Sequence, residues 1–209
     1  MNPVDYPQLD DDESFLVYMC GIELDRQIGS TLFANRKLRR CLRVGDRDGA
    51  LFYLDALLRS TAAISRFFWP SGKKYRARGE LLRRHFRVGN TSSLAARGVR
   101  NAFEHFDEEI QDWLSAGNQV VADANIGPVR FVAGGRIRPL RHLDPSTMTA
   151  HYLDRSIGLT ALVSAVRRLR RNMRGVTFML DSHLTGGAAP VPTLSSPHGD
   201  WPPHRPDHT

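Results

Sequence analysis

The stretch Thr91–Gly117, TSSLAARGVRNAFEHFDEEIQDWLSAG, carries the clearest amphipathic pattern in the chain. Val99, Ala102, Phe103, Phe106, Ile110, Trp113 and Leu114 recur at intervals of three and four, so they line one side of a helix with 3.6 residues per turn. Thr91, Ser92 and Ser93 supply hydroxyls for the first unpaired N–H groups, and Gly117 stops the pattern. An isolated helix of this kind cannot bury its stripe. The fold therefore depends on what precedes it.

Upstream, Phe15, Met19, Ile22, Ile28, Leu32 and Leu38 recur at mostly helical intervals over Glu13–Leu42, behind the acidic run Asp10 to Glu13 that suits a helix N-terminus. The spacing predicts a long first helix that buries these residues and bends at Gly29. Gly45 to Gly49 reads as a polar turn. Leu51, Leu54, Leu57, Leu58, Ile64, Phe67 and Phe68 then make a second stripe, which ends before Pro70. Glu80–Phe86 makes a short third helix before the Gly89-Asn90 stop.

Past Gly117 the pattern changes. Gly127-Pro128 and Gly134-Gly135 flank Val129–Val132, Ile137–Leu140 follows, and Asp144-Pro145-Ser146 precedes the run Thr147–Leu153, so a small β meander is expected. Leu159, Leu162, Val163, Val166, Leu169 and Met173 form a last amphipathic helix, with an arginine row on its polar side. From Thr185 onward Gly, Ala, Pro, Ser and His leave almost nothing to bury. The chain thus reads as mainly α: a helical bundle over residues 1–117, a small α+β annex packed on it over 118–180, and a disordered Pro/Gly/His-rich tail over 181–209.

The formal net charge is +7, which suits a phosphate-bearing partner. Lysine occurs only at Lys37, Lys73 and Lys74 while arginine is abundant, so part of this charge reflects residue usage. No stretch has the roughly 20 apolar residues of a membrane span and no secretory leader is legible, so a cytoplasmic protein with no membrane partner is expected. Cys20 and Cys41 read as free core thiols. GxSxG, GxxxxGK[ST], HExxH and GxGxxG are all absent, so hydrolase-elbow, NTPase, zincin and dinucleotide readings lack support. Neither a cofactor nor a metal is expected, and His198, His204 and His208 lie in the tail without a fixed geometry.

Arg100, Asn101 and His105 remain. A histidine titrating near neutrality beside an arginine can move a proton and hold a phosphate without a metal. The segment RNAFEH, running into FDEE, resembles the HEPN superfamily, whose mark is an arginine, a polar residue and a histidine after four to six intervening positions. The resemblance covers about residues 11–117. It implies a HEPN-like antiparallel bundle, a homodimer, RNA as substrate, and a metal-independent endoribonuclease of toxin or defence type with an antitoxin-like partner. It also implies catalytic roles for Arg100, Asn101 and His105. Some toxins of that superfamily carry a tyrosine two positions after the histidine where a partner attaches nucleotides; here that position is Asp107. A non-catalytic dimerising or nucleotide-binding member is the alternative, and a plain basic nucleic-acid binder a third.

At 100° per residue, Arg100 and His105 lie about 140° apart around one helix, so a single helix cannot aim both at one phosphate. Two copies paired about a two-fold axis could. Glu104, Asp107, Glu108, Glu109 and Asp112 repel RNA, so cations elsewhere must offset them: Lys73, Lys74, Arg76, Arg83, Arg84 and Arg87 are the candidates. The tail has no apolar periodicity to dock, so deleting residues 185–209 is expected to leave the melting temperature within a degree or two, as scanning calorimetry would measure.

Overall fold

The computed structural model describes residues 10–96, 106–116, 124–128, 140–153 and 155–184. Helix α1 spans Asp11–Val44 and α2 spans Arg47–Phe68. The turn between them is made by two short signals. Gly45 closes α1 in the left-handed region at φ 74°, and the Asp46 carboxylate then caps α2 by accepting from the Gly49 N–H at 2.9 Å. At the other end Asp10 caps α1 by accepting from the Glu13 N–H at 2.7 Å. With so tight a turn the two helices run antiparallel, packed along their lengths.

Their seam is apolar. Leu24, Ile28, Leu38, Leu57, Ile64 and Phe68 are fully buried, each contributing about 1.5–3 kcal/mol of transfer free energy. Inside it the Thr31 hydroxyl donates to Ser60 Oγ at 2.8 Å, so two small polar residues mark where the helices approach closely. Phe15, Met19 and Ile22, expected in this seam, instead stand on the opposite side of α1 and are about half exposed. The helix carries two apolar seams. Val17, Leu24 and Ile28 occupy the buried one.

After a 3-10 turn at Lys73–Tyr75, helix α3 runs Arg76–His85, starting earlier than the sequence predicts. Gly79 lies inside it, at a point where a Cβ would come within 2.7 Å of both the Phe68 carbonyl oxygen and Pro70 Cδ, so only glycine fits there. Arg83 donates to that same Phe68 carbonyl, capping the last turn of α2. A 3-10 turn at Ser93–Ala95 follows, where Leu94 is buried and its carbonyl accepts from Ser65 Oγ at 2.6 Å. Helix α4 spans Phe106–Ser115, with Trp113 buried and Leu114 exposed.

Strands β1 (Ala124–Ile126), β2 (Arg141–Asp144), β3 (Thr149–Tyr152) and β4 (Arg155–Gly158) form one sheet in that order. The Asp144-Pro145-Ser146 turn is where the sequence predicts it, and β2, β3 and β4 are antiparallel neighbours. β1 pairs parallel to β2, so the sheet is not a pure meander. The expected strand Val129–Val132, and Ile137 to Pro139 of the next, lie outside the described residues, as does the tail from Thr185. Helix α5, Leu159–Leu184, packs on α1 and sends Leu162, Val166, Leu169 and Met173 into the same core as α2, β2 and β3. Residues from both sides of position 117 therefore share one apolar cluster. The protein is mainly helical with a small sheet, and no helix among the described residues is long and apolar enough to cross a membrane.

Gly79→Ala tests the α2–α3 contact. Helix propensity alone would favour alanine by about 1 kcal/mol. The contact with backbone atoms reverses the sign, so a net loss of about 1–3 kcal/mol is expected in urea unfolding.

Candidate functional site

The end of α3 and the segment after it form a basic cleft. Arg83, Arg84, Glu80 and Asn90 line a cavity of about 440 Å³, and a second of about 110 Å³ adjoins it through Val88 and Gly89, reaching Arg87, Ser92 and Arg168. Arg87 sits in the left-handed region at φ 53°, a conformation that costs a non-glycine residue about 1–2 kcal/mol. Asn172 of α5 offsets this by donating to the Phe86 carbonyl at 2.8 Å, and the Val88 N–H donates to the Arg83 carbonyl at 2.9 Å. The α3 terminus is thereby tied to α5.

The six expected nucleic-acid cations fall into two groups. Arg83, Arg84 and Arg87 line the two cavities; Arg83 also lies 5.7 Å from the Trp69 ring centroid, so its guanidinium has structural work besides. Lys73, Lys74 and Arg76 are exposed at the start of α3. Lys74 lies 4.8 Å from the Tyr75 ring centroid, and Arg78 lies 5.1 Å from the same ring. Sequence reading missed Arg78 and Arg168. Arg168 was legible only as one of a row of arginines, and its place at the cavity follows from α5 docking beside α3.

Arg100, Asn101 and His105 lie outside the described residues, between the turn at Ser93–Ala95 and the first residue of α4. On α4 itself, Glu109 pairs with Arg155 of β4 at 2.8 Å, so one of the acidic residues thought to repel RNA is partly neutralised.

A second polar cluster went unrecognised in the sequence. The register aligns Asn125, His142, His151 and Ser156 across the four strands, on the face opposite Leu143 and Ala150. Asn125 Nδ2 and His142 Nδ1 are 3.2 Å apart, and the two imidazole centroids are 5.4 Å apart. His142 is only 3% exposed. The Nε2 atoms of both histidines are buried without a hydrogen-bond partner. Burial pushes both rings below their ordinary pKa, and the neighbouring His151 lowers His142 further, while the Asp144 carboxylate opposes the shift. Asp144 is itself buried and accepts from the Ser146 N–H at 2.8 Å and the Ser146 hydroxyl at 2.6 Å. The signal for the pair was present, since His142 and His151 stand symmetrically about the turn at 145–148, but it is read only with the hairpin register in hand. Among the described residues no three or more His, Cys, Asp or Glu side chains converge as metal ligands.

On the other face Tyr152 donates to Asp55 Oδ1 at 3.1 Å and Arg141 stands 3.8 Å from Asp55 Oδ2, fastening the sheet to α2. Burial and the Asp55 charge raise the Tyr152 hydroxyl well above its ordinary pKa, so it stays a donor. Compared with known proteins, the chain matches no family model, no curated protein and no solved structure.

The histidine pair sets a pH dependence. Its folded pKa values lie below the ordinary 6.5, so below that pH the unfolded chain takes up protons that the folded chain refuses. The stabilising effect is full above about pH 6.5 and is lost as pH falls towards the depressed values. The melting temperature is expected to drop between pH 7 and 5. A His142→Gln/His151→Gln double variant should show a shallower drop, the remainder belonging to His85, which burial also lowers.

Proposed function

We propose that the chain is a HEPN-like, metal-independent endoribonuclease of toxin or defence type that acts as a homodimer. The observation that carries this reading is the spacing of Arg100, Asn101 and His105 in an amphipathic stretch whose later part is helix α4. Two features support it. A long antiparallel helical hairpin precedes the motif, and in the chain the motif lies between Leu94, which lines the basic cleft, and α4. A phosphate backbone lying along Arg84, Arg87 and Arg168 would be held by charge without reading bases.

His105 takes the proton from a ribose 2′-hydroxyl, whose oxygen forms a bond to the adjacent phosphorus while the bond to the 5′-oxygen breaks. Arg100 stabilises the charge that builds on the phosphate, and Asn101 orients the histidine or a phosphate oxygen. A proton is returned to the leaving 5′-oxygen. The products are a 2′,3′-cyclic phosphate and a 5′-hydroxyl. Because the sequence spacing of Arg100 and His105 would set them about 140° apart on a helix, each site takes one residue from each copy, and a small antitoxin-like partner would act by covering it.

RNA cleavage is expected to persist in excess EDTA and to fall by about a hundredfold or more in His105→Ala and in Arg100→Ala, with no additivity in the double variant. Mixing the two inactive variants should restore part of the activity, since each mixed dimer holds one intact site. Full activity in His105→Ala would sink the enzymatic reading. Failure to recover activity despite proven subunit exchange would sink the shared site.

A further inference from the structure

The outward side of α1 is apolar where a solvated helix should be polar. Phe15 is 58% exposed, Met19 and Ile22 are each 49% exposed, and Phe33 is 46% exposed. With Asp12, Arg26, Gly29 and Arg36 they follow one another at alternating intervals of three and four, the spacing of a seam that meets another helix along its length. Gly29 is the least expected member. Glycine in a helix interior is costly, and here a Cβ would meet nothing within 4 Å among the described residues, so their packing does not require it. A glycine on an outer seam lets a second backbone or a large side chain come close.

We infer that this face of α1 takes a second copy of the chain, the two α1 helices lying antiparallel about a two-fold axis. The stripe is self-complementary in that arrangement. Placing Phe15 opposite Phe33 puts Met19 over Gly29, Ile22 against Arg26 and Asp12 against Arg36, and the two-fold axis repeats each pair. A large side chain meets a gap and an acidic residue meets a basic one. Near the axis the Arg26 guanidinium is held by Glu23, with Nε to Oε2 at 2.9 Å and Nη2 to Oε1 at 2.8 Å, which leaves its stem to cover Ile22 of the other copy. A parallel pairing would set Asp12 beside Asp12 and Arg36 beside Arg36. The inference is argued from α1 alone and does not rest on the ribonuclease reading.

Sedimentation velocity of the full chain at tens of micromolar tests it. A dimer is expected, and Ile22→Glu should weaken it by roughly thirtyfold or more, the loss typical of a buried anchor. Because Ile22 is exposed within the chain, the variant should melt as wild type does at concentrations low enough that both are monomeric. Gly29→Leu should weaken the dimer with no fall in the melting temperature of the monomer. Asp12→Arg should weaken it too, and Asp12→Arg/Arg36→Asp should restore it. Under oxidation, Met19→Cys mixed with Gly29→Cys should form a cross-linked dimer, whereas Met19→Cys alone should not, since its two copies lie about 15 Å apart along the axis. A monomer, a dimer indifferent to Ile22→Glu, or self-cross-linking of Met19→Cys would each overturn the interface. An unaffected dimer in which Arg100→Ala and His105→Ala still complement would overturn it while leaving the ribonuclease reading intact.

Discussion

The close approach of α1 and α2 is the constraint on which the rest of the molecule depends. Thr31 and Ser60 meet at 2.8 Å in the middle of an apolar seam, and a hydroxyl buried there must find partners or weaken the fold. Ser60 and Thr61 find them by donating to the carbonyls one turn back on α2, and Thr31 by donating to Ser60 Oγ. Small side chains let the backbones come together, and fully buried Leu24, Ile28, Leu57 and Ile64 supply the burial on either side. Helix α3, the turn at Ser93–Ala95, strands β2 and β3 and helix α5 dock on this pair. The Phe68 carbonyl at the end of α2 receives Arg83 and faces Gly79, Asp55 receives Tyr152 and Arg141, and α5 lies on α1.

The sheet is divided by this docking into faces of different chemistry. Leu143, Ala150 and Tyr152 enter the common core, whereas Asn125, His142, Asp144 and His151 take the other face, since alternate residues of a strand point opposite ways. Burying two imidazoles side by side keeps them neutral, as a charge on either would raise the cost of charging the other. Asp144 pulls the opposite way but is occupied by the Ser146 turn. The row is a pH-sensitive element of the fold, apart from the basic cleft on α3 and α5.

What was legible in the sequence follows from how local each cause is. Gly45 closing α1, Asp46 capping α2 and Asp144 in its turn act over three or four residues and could be read directly. Gly79 could not, because its reason is the Phe68 carbonyl on another helix. The parallel β1–β2 pair and the His142–His151 contact depend on register, which residue types alone do not specify. Of the residues proposed for chemistry, Arg84 and Arg87 reach the cavities through the turn that ends α3, and Arg168 joins them only through tertiary packing. Arg100, Asn101 and His105 stand on their spacing in the sequence.

Helix α1 shows why periodicity identifies a helix more readily than its buried side. Phe15, Met19 and Ile22 satisfy the helical interval as well as Val17, Leu24 and Ile28 do, and only the position of α2 decides which set is covered. Its charge pattern is equally double in meaning. Asp12 and Glu13 at one end and Arg39, Arg40 and Arg43 at the other suit the dipole of a single helix, and the same asymmetry makes two such helices complementary when reversed. Dipole matching therefore explains the charges without a second chain. It does not explain a glycine at position 29, where the helix would be more stable with alanine and nothing among the described residues occupies the space a Cβ would take. That residue separates a merely solvated face from one shaped for close approach.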